Sequence, residues 1–410
     1  MGRWRTYAEL PRAVRVLCVG TLINRVGGLL VPFLTLYLCD ELGFDVTFAT
    51  LAMGAFGLGA VASALVGGHL ADVLGRRVVM LIALLGGASV LAVFPTLTSR
   101  GSIIAGVACF AFLSEMYRPA TQAMIGDLVE PARRPEAFGL MYLAINLGFS
   151  VAPPLGGWLA SVSFRILIWF DAATAVAYAV IIIIFIRETL PARSASAPTS
   201  GAGEPIGVWA VARRIASDRP FVIFCAATLG VGMVYMQSIS TLPLYLRARG
   251  FGPGDYGLVM MTNGVMIVFL QLPLVSLISR WNRAAVMSAA AIVTGIGFGA
   301  TAMADILWHF VATVAIWTAG EMMSAPFGSA IVSDFSPVSM RGRYMGVYSM
   351  CFSSANMIGA PIGGMVMTHY GAPAVWGACV VVSVMAAMLY LSIHGRINRP
   401  QASGPLAVDP

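Results

Sequence analysis

Twelve apolar runs, each near the ~20 residues that a helix needs to cross the hydrocarbon core of a bilayer, recur from one end of the chain to the other. They fall near residues 14–38, 48–70, 78–97, 102–125, 136–161, 165–187, 220–246, 255–279, 284–304, 306–330, 342–366 and 373–395. Strands of a membrane barrel would read as ~10-residue alternating segments. These runs are instead continuous and rich in Ala, Leu, Gly and Val, so the expected class is all-α integral membrane. Composition agrees: 59% of the 410 residues are hydrophobic and only 10% charged, against roughly 25% charged in a soluble domain.

The basic side chains orient the runs. All 25 are arginine. On this map nineteen lie at the N-terminus, in the even-numbered connections and at the C-terminus; Arg100, Arg165, Arg247 and Arg249 lie on the other side, and Arg25 and Arg118 inside spans. Positive charge collects on the cytoplasmic face, so both termini are expected in the cytoplasm and the protein in the inner membrane. The +7 net charge therefore reports orientation, and no clustered, aromatic-interleaved patch points to nucleic acid. The first span is full-length and preceded by Arg3, Arg5, Arg12 and Arg15, unlike a cleavable signal peptide. The six cysteines show no disulfide or metal-ligand spacing. With no lysine there is no P-loop, which excludes a one-chain ATPase; no His sits in an HExxH, so a zinc protease is unsupported, and no cofactor or metal is expected.

Residues 188–219 form a Ser, Ala, Pro and Gly-rich stretch of the kind that cannot bury a core. It divides the chain into residues 1–187, a cytoplasmic linker and residues 220–398, with 399–410 an expected disordered tail. A shift of 207 residues then superimposes the halves: Pro119 on Pro326, Asp127 on Asp334, Arg134 on Arg341, Pro154 on Pro361, Gly156 and Gly157 on Gly363 and Gly364, Trp169 on Trp376. Such agreement at one offset marks an internal repeat. Twelve transmembrane helices in two pseudo-symmetric six-helix bundles describe a major facilitator fold.

Two motifs carry a resemblance to that superfamily. Gly68-His69-Leu70-Ala71-Asp72-Val73-Leu74-Gly75-Arg76-Arg77 resembles its signature after span 2. In the family this loop is a conformational latch between halves, which Asp127 at the inner end of span 4 often joins; the plainer reading is a topological anchor. Its counterpart, Ser279-Arg280-Trp281-Asn282-Arg283, keeps arginines but neither Asp nor Gly, so any latch is expected to be asymmetric. In span 5, Gly148, Ala152, Pro153, Pro154, Gly156 and Gly157 resemble the antiporter motif of proton-driven drug exporters, with Ala152 in place of a Gly. Small residues permit close packing and prolines bend helices, so the motif reads equally as a hinge common to both halves. The whole chain is similar to the twelve-span multidrug exporters.

An ionisable side chain in hydrocarbon costs several kcal/mol and marks function by default. Arg25, Glu115, Arg118 and Glu321 sit near the middles of spans 1, 4 and 10, and family resemblance has spans 1, 4, 7 and 10 meet around the substrate. Asn24, Gln122 and Gln237 could add polar contacts. Glu115 and Arg118 stand either as a neutralised structural pair or as binding groups, whereas Glu321 has no cation on its own span and is the first candidate to carry a proton. Asp171 is expected to pair with Arg165. These features lead to a monomeric, proton-gradient-driven exporter of a small organic solute, with uptake by symport, facilitated diffusion or a non-transporting receptor as alternatives. The usual Arg-Q-G-x-G of exporter span 4 is absent and span 1 carries an Arg, which leaves the substrate's charge open.

Overall fold

The computed structural model describes residues 10–130, 133–189, 208–337 and 340–397. The expected tail at 399–410 and residues 190–207 of the expected linker lie outside them. Twelve long helical segments account for nearly all the rest: α1 Arg12–Glu41, α2 Val46–Leu74, α3 Arg76–Thr96, α4 Arg100–Leu128, α5 Arg134–Val162, α6 Phe164–Phe185, α7 Arg219–Ala248, α8 Pro253–Ile278, α9 Arg283–Met303, α10 Leu307–Phe335, α11 Arg341–Tyr370 and α12 Ala372–Ser392. A short basic helix, Val208–Ser217, precedes α7. Eleven of the twelve are long and apolar enough to cross a membrane; α10 has the length, 29 residues, but interrupts its apolar run with His309, Glu321 and Asp334. Among the described residues there is no strand, and the all-α, two-bundle major facilitator architecture expected from the sequence is present.

The repeat read from the sequence is also a repeat of contacts. Gly156 and Gly157 of α5 face different neighbours: a β-carbon on Gly156 would overlap Phe33 of α1, and one on Gly157 would overlap the Pro253 carbonyl of α8. Their images in α11 do the same, Gly363 against Gln237 of α7 and Gly364 against Thr50 of α2. Thr21 and Tyr178 hydroxyls meet at 3.2 Å between α1 and α6, and Thr228 and Tyr390 at 3.2 Å between α7 and α12. Without water in a bilayer to drive helices together, backbones approach at small residues and are fixed by such hydrogen bonds. The halves meet along two seams, α5 on α8 and α2 on α11.

Those seams are sealed at one end. Asp40 pairs with Arg247, Thr47 and Thr368 hydroxyls lie 3.1 Å apart, and Phe33 meets Tyr256 edge to face at 5.3 Å between centroids. Toward the other end, positions Gly139 of α5 and Gly346 of α11 have open space where a β-carbon would stand. Tyr142 and Phe352 are exposed there.

Two spans expected to be continuous are broken in the N-terminal half. α1 stops at Gly27 and resumes at Leu30. The released amides of Leu29 and Leu30 each donate to Asp171 Oδ2 at 3.0 Å, which supplies the partner that irregular backbone inside a membrane protein requires. Asp171 therefore does not serve the expected pair with Arg165. α4 breaks at Met116, between Arg100–Glu115 and Tyr117–Leu128.

Candidate transport site

Both breaks lie beside the charges singled out in the sequence. Arg25, in the last turn before the α1 break, donates from Nη2 to the Tyr117 hydroxyl at 2.6 Å, and its guanidinium stands 5.3 Å from the Tyr117 ring and 5.6 Å from the Phe149 ring. A guanidinium over aromatic faces is held by the ring quadrupoles. Among the described residues its buried Nε has no hydrogen-bond partner. Across the α4 break, Arg118 Nη1 meets Glu115 Oε2 at 2.9 Å, and Arg25 is near enough to Glu115 for its charge to be felt. Arg118 is 58% exposed although it lies well along α4. Gly148 gives Arg25 its room: a β-carbon there would overlap that of Arg25. Asn24 is half-buried and Gln122 exposed.

Glu321 lies apart from this group, in the C-terminal half. Its Oε2 accepts from Asn263 Nδ2 of α8 at 2.7 Å, and the same amide donates to Thr318 at 3.1 Å. Among the described residues no cation faces it. Glu321 opens into a cavity of about 130 Å³ walled by Tyr235, Tyr348, Phe352 and Tyr390, and Tyr142 of the opposite half is within electrostatic reach. The four charges expected to meet thus form two groups, a compensated one on α1 and α4 and an uncompensated carboxylate on α10. Gln237, expected as a cavity contact, is buried in the α7–α11 seam. Its amide nitrogen donates to Met233 O and Gly359 O at 2.9 Å each, and its oxygen accepts from Thr241 at 3.0 Å. Tyr117 and Asn263 were not singled out in the sequence. Asn263 had a signal, an amide in the middle of an apolar run, whereas a Tyr at that place carries none.

The latch residues gather at the open end. Arg76 reaches Asp127 Oδ2 from Nε at 3.1 Å, Asp72 Oδ1 at 3.3 Å and Ala71 O at 3.1 Å. Glu188, placed by the sequence in the linker, accepts from the amides of Arg76 and Arg77 at 2.9 and 3.0 Å; a carboxylate there meets the positive end of α3. Arg77 donates to Ile183 O at 2.9 Å. These contacts tie α2, α3, α4 and α6 of one half together and, in this conformation, do not bridge the halves. Of the two motif glycines, Gly75 has φ +104° and the Glu188 carboxylate where a β-carbon would stand, while Gly68 has open space. The expected asymmetry is partial: Arg283 pairs with Asp334 as Arg76 does with Asp127, while the positions matching Asp72, Gly75 and Glu188 are Ser279, Asn282 and Gly395. In α5, Pro153 and Pro154 lie inside an uninterrupted helix and Ala152 is buried.

The family model of the Major Facilitator Superfamily matches residues 17–261 and again 246–409. The chain belongs to the major facilitator superfamily. Superfamily relatives include the Na(+), Li(+), K(+)/H(+) antiporter of Planococcus maritimus, 25% identical over 86% of this chain and 88% of that protein. Multidrug resistance protein MdtH of Klebsiella pneumoniae is 22% identical over 81% of each. Among solved structures, a POT family transporter in complex with a thioalcohol-conjugated peptide superposes with a TM-score of 0.79 over 96% of this chain and 100% of that one, at 15% identity, a likeness of fold. The chain is a multi-pass membrane transporter of a superfamily of transporters rather than enzymes.

Proposed function

We propose that this transporter exports a small organic solute from the cytoplasm across the inner membrane in exchange for protons, as a monomer, with no cofactor beyond the proton gradient. The observation that carries the reading is Glu321: a carboxylate within the bundle that has an amide donor, an aromatic-walled cavity and, among the described residues, no facing cation. An ionisable group at bilayer depth is costly and marks a proton or ion pathway by default, and a proton gained or lost there would change what the cavity can hold. The relatives named for multidrug resistance and for cation/proton antiport support exchange. The arginine bias supports cytoplasmic termini, which makes the latch end inner and this conformation inward-open. In the same reading the latch orders the inner rim between cycles, and the Arg25, Glu115 and Arg118 group lines the solute's route.

The test pairs two assays in proteoliposomes. Glu321→Gln is expected to lose accumulation driven by a pH gradient and to keep equilibrium counterflow, whereas Glu115→Gln, which frees Arg118 and Arg25, is expected to weaken counterflow itself. Undiminished pH-driven accumulation in Glu321→Gln would remove the coupling role. A cysteine at position 200 in an otherwise cysteine-free chain is expected to resist an impermeant thiol reagent in intact cells; labelling from outside would invert the topology.

A further inference from the structure

At the latch end of the N-terminal half, α1 and α6 leave a groove of about 360 Å³ between them, lined by Arg12, Arg15, Val16 and Val19 of α1 and Ile181 and Phe185 of α6. Arg12 and Arg15 are exposed, and among the described residues neither has a carboxylate partner, although Arg76, Arg118, Arg133 and Arg283 all do. The Arg12 guanidinium lies over the Phe185 ring, 5.6 Å from its centroid. One turn further into the bundle the polar groups stop and the walls are apolar, with Val19 54% and Phe185 48% exposed. α6 packs on α1, α3 and α5 of its own half, so the groove opens on the outer face of the bundle, away from the seam and from both groups of transport charges.

We propose that this groove binds one acidic phospholipid, its phosphate held by Arg12 and Arg15 and the start of one acyl chain laid along Val16, Val19, Ile181 and Phe185. The match is of charge and polarity along one axis: two guanidiniums that have no carboxylate partner among the described residues and can each take a phosphate oxygen pair, then a hydrocarbon-lined trough pointing into the membrane. Basic pockets between helices at a membrane face are recognised by acidic headgroups. The chain's own N-terminus is a poor occupant, because it would bring Arg3 and Arg5 against like charge.

The experiment is native mass spectrometry of the full-length protein purified from nanodiscs of phosphatidylglycerol and phosphatidylcholine in equal amounts. Wild type is expected to retain one phosphatidylglycerol. Removing two charges that each interact with an acidic lipid at the surface lowers the affinity by about thirtyfold, so R12Q/R15Q is expected to lose the lipid. R280Q/R396Q, which removes two exposed arginines of the other half, is expected to keep it. Val19→Trp fills the trough with both arginines intact and is also expected to release the lipid, which covers the case in which R12Q/R15Q folds poorly. Retention by R12Q/R15Q, equal loss in R280Q/R396Q, equal retention of phosphatidylcholine, or displacement by the chainless headgroup glycerophosphoglycerol would each overturn the proposal.

Discussion

Asp171 and Glu321 are both carboxylates sunk in the helical bundle, and their surroundings give them different duties. Asp171 takes two backbone amides at the α1 break, so it is a structural anchor. Replacing it with Ala leaves the Leu30 amide without its acceptor and the Leu29 amide with only the Gly27 carbonyl, at 2.7 Å, and is expected to cost on the order of 2 kcal/mol. Thermal unfolding in detergent checks this, with Arg165→Ala as the comparison, expected within about 0.5 kcal/mol of wild type; a larger loss in Arg165→Ala would restore the local pair. The two residues are six apart, and positions so spaced do not share a helix face, which is why proximity in sequence pointed to the wrong partner. Glu321 was legible because no arginine accompanies it in its span. Its partner on another helix was not, since nothing in one sequence says which mid-span amide meets which carboxylate. The midpoint charges were legible as a set, but their division between two halves depends on which way each helix is turned.

The ends of the helices follow local rules that the sequence does announce. Asp45 is the N-cap of α2: its Oδ1 accepts the Phe48 amide at 2.8 Å, while Oδ2 meets Arg100 at 2.7 Å. The Phe48 amide first, and then the Arg100 guanidinium, hold its carboxyl below the usual carboxylate range. A depressed folded value contributes stability above the unfolded pKa of about 3.9 and loses it as pH falls through the folded value. The stability difference between wild type and Asp45→Asn, an isosteric cap without charge, is therefore expected to hold from pH 7 to 5 and to close below about pH 4; a difference that persists unchanged at lower pH would discount the charge. Asp45→Ala loses the cap as well, about 1 kcal/mol. At the α2–α3 turn, Gly75→Ala is expected to cost about 1–3 kcal/mol, because φ +104° with ψ 148° is essentially a glycine conformation and the Glu188 carboxylate stands where the β-carbon would be, with Gly68→Ala near neutral. The sequence treated these two glycines alike, because a motif records that both are small and not which of them is conformationally required. The break in α1 had a visible warning in Gly27-Gly28, but only the folded chain shows the carboxylate that makes it tolerable.

At the scale of the molecule, the 207-residue repeat was readable from Pro, Gly, Asp and Trp at one offset, and it proves to be a repeat of seams and ion pairs. What one sequence cannot carry is which state the seams are in, since the same pseudo-symmetric contacts serve either end. Here Asp40–Arg247 and Thr47–Thr368 close one end, and Gly139 and Gly346 leave space at the other. Alternating access requires the closed end to part, and a device that only rocks about the seams must break the Thr47–Thr368 contact in every cycle. The two hydroxyls lie 3.1 Å apart, so a pair of cysteines there needs little movement to reach disulfide geometry. Thr47→Cys/Thr368→Cys in a background lacking the six native cysteines is expected to cross-link with a mild oxidant, to lose net transport in proteoliposomes, and to regain it on reduction, while each single variant is indifferent to both treatments. The same oxidised protein is expected to retain accessibility of Arg118→Cys from the latch end, because locking one end shut does not close the other. Wild-type turnover in the fully cross-linked protein would show that α2 and α11 stay together at that end throughout the cycle, and that the parting occurs along the α5–α8 seam alone.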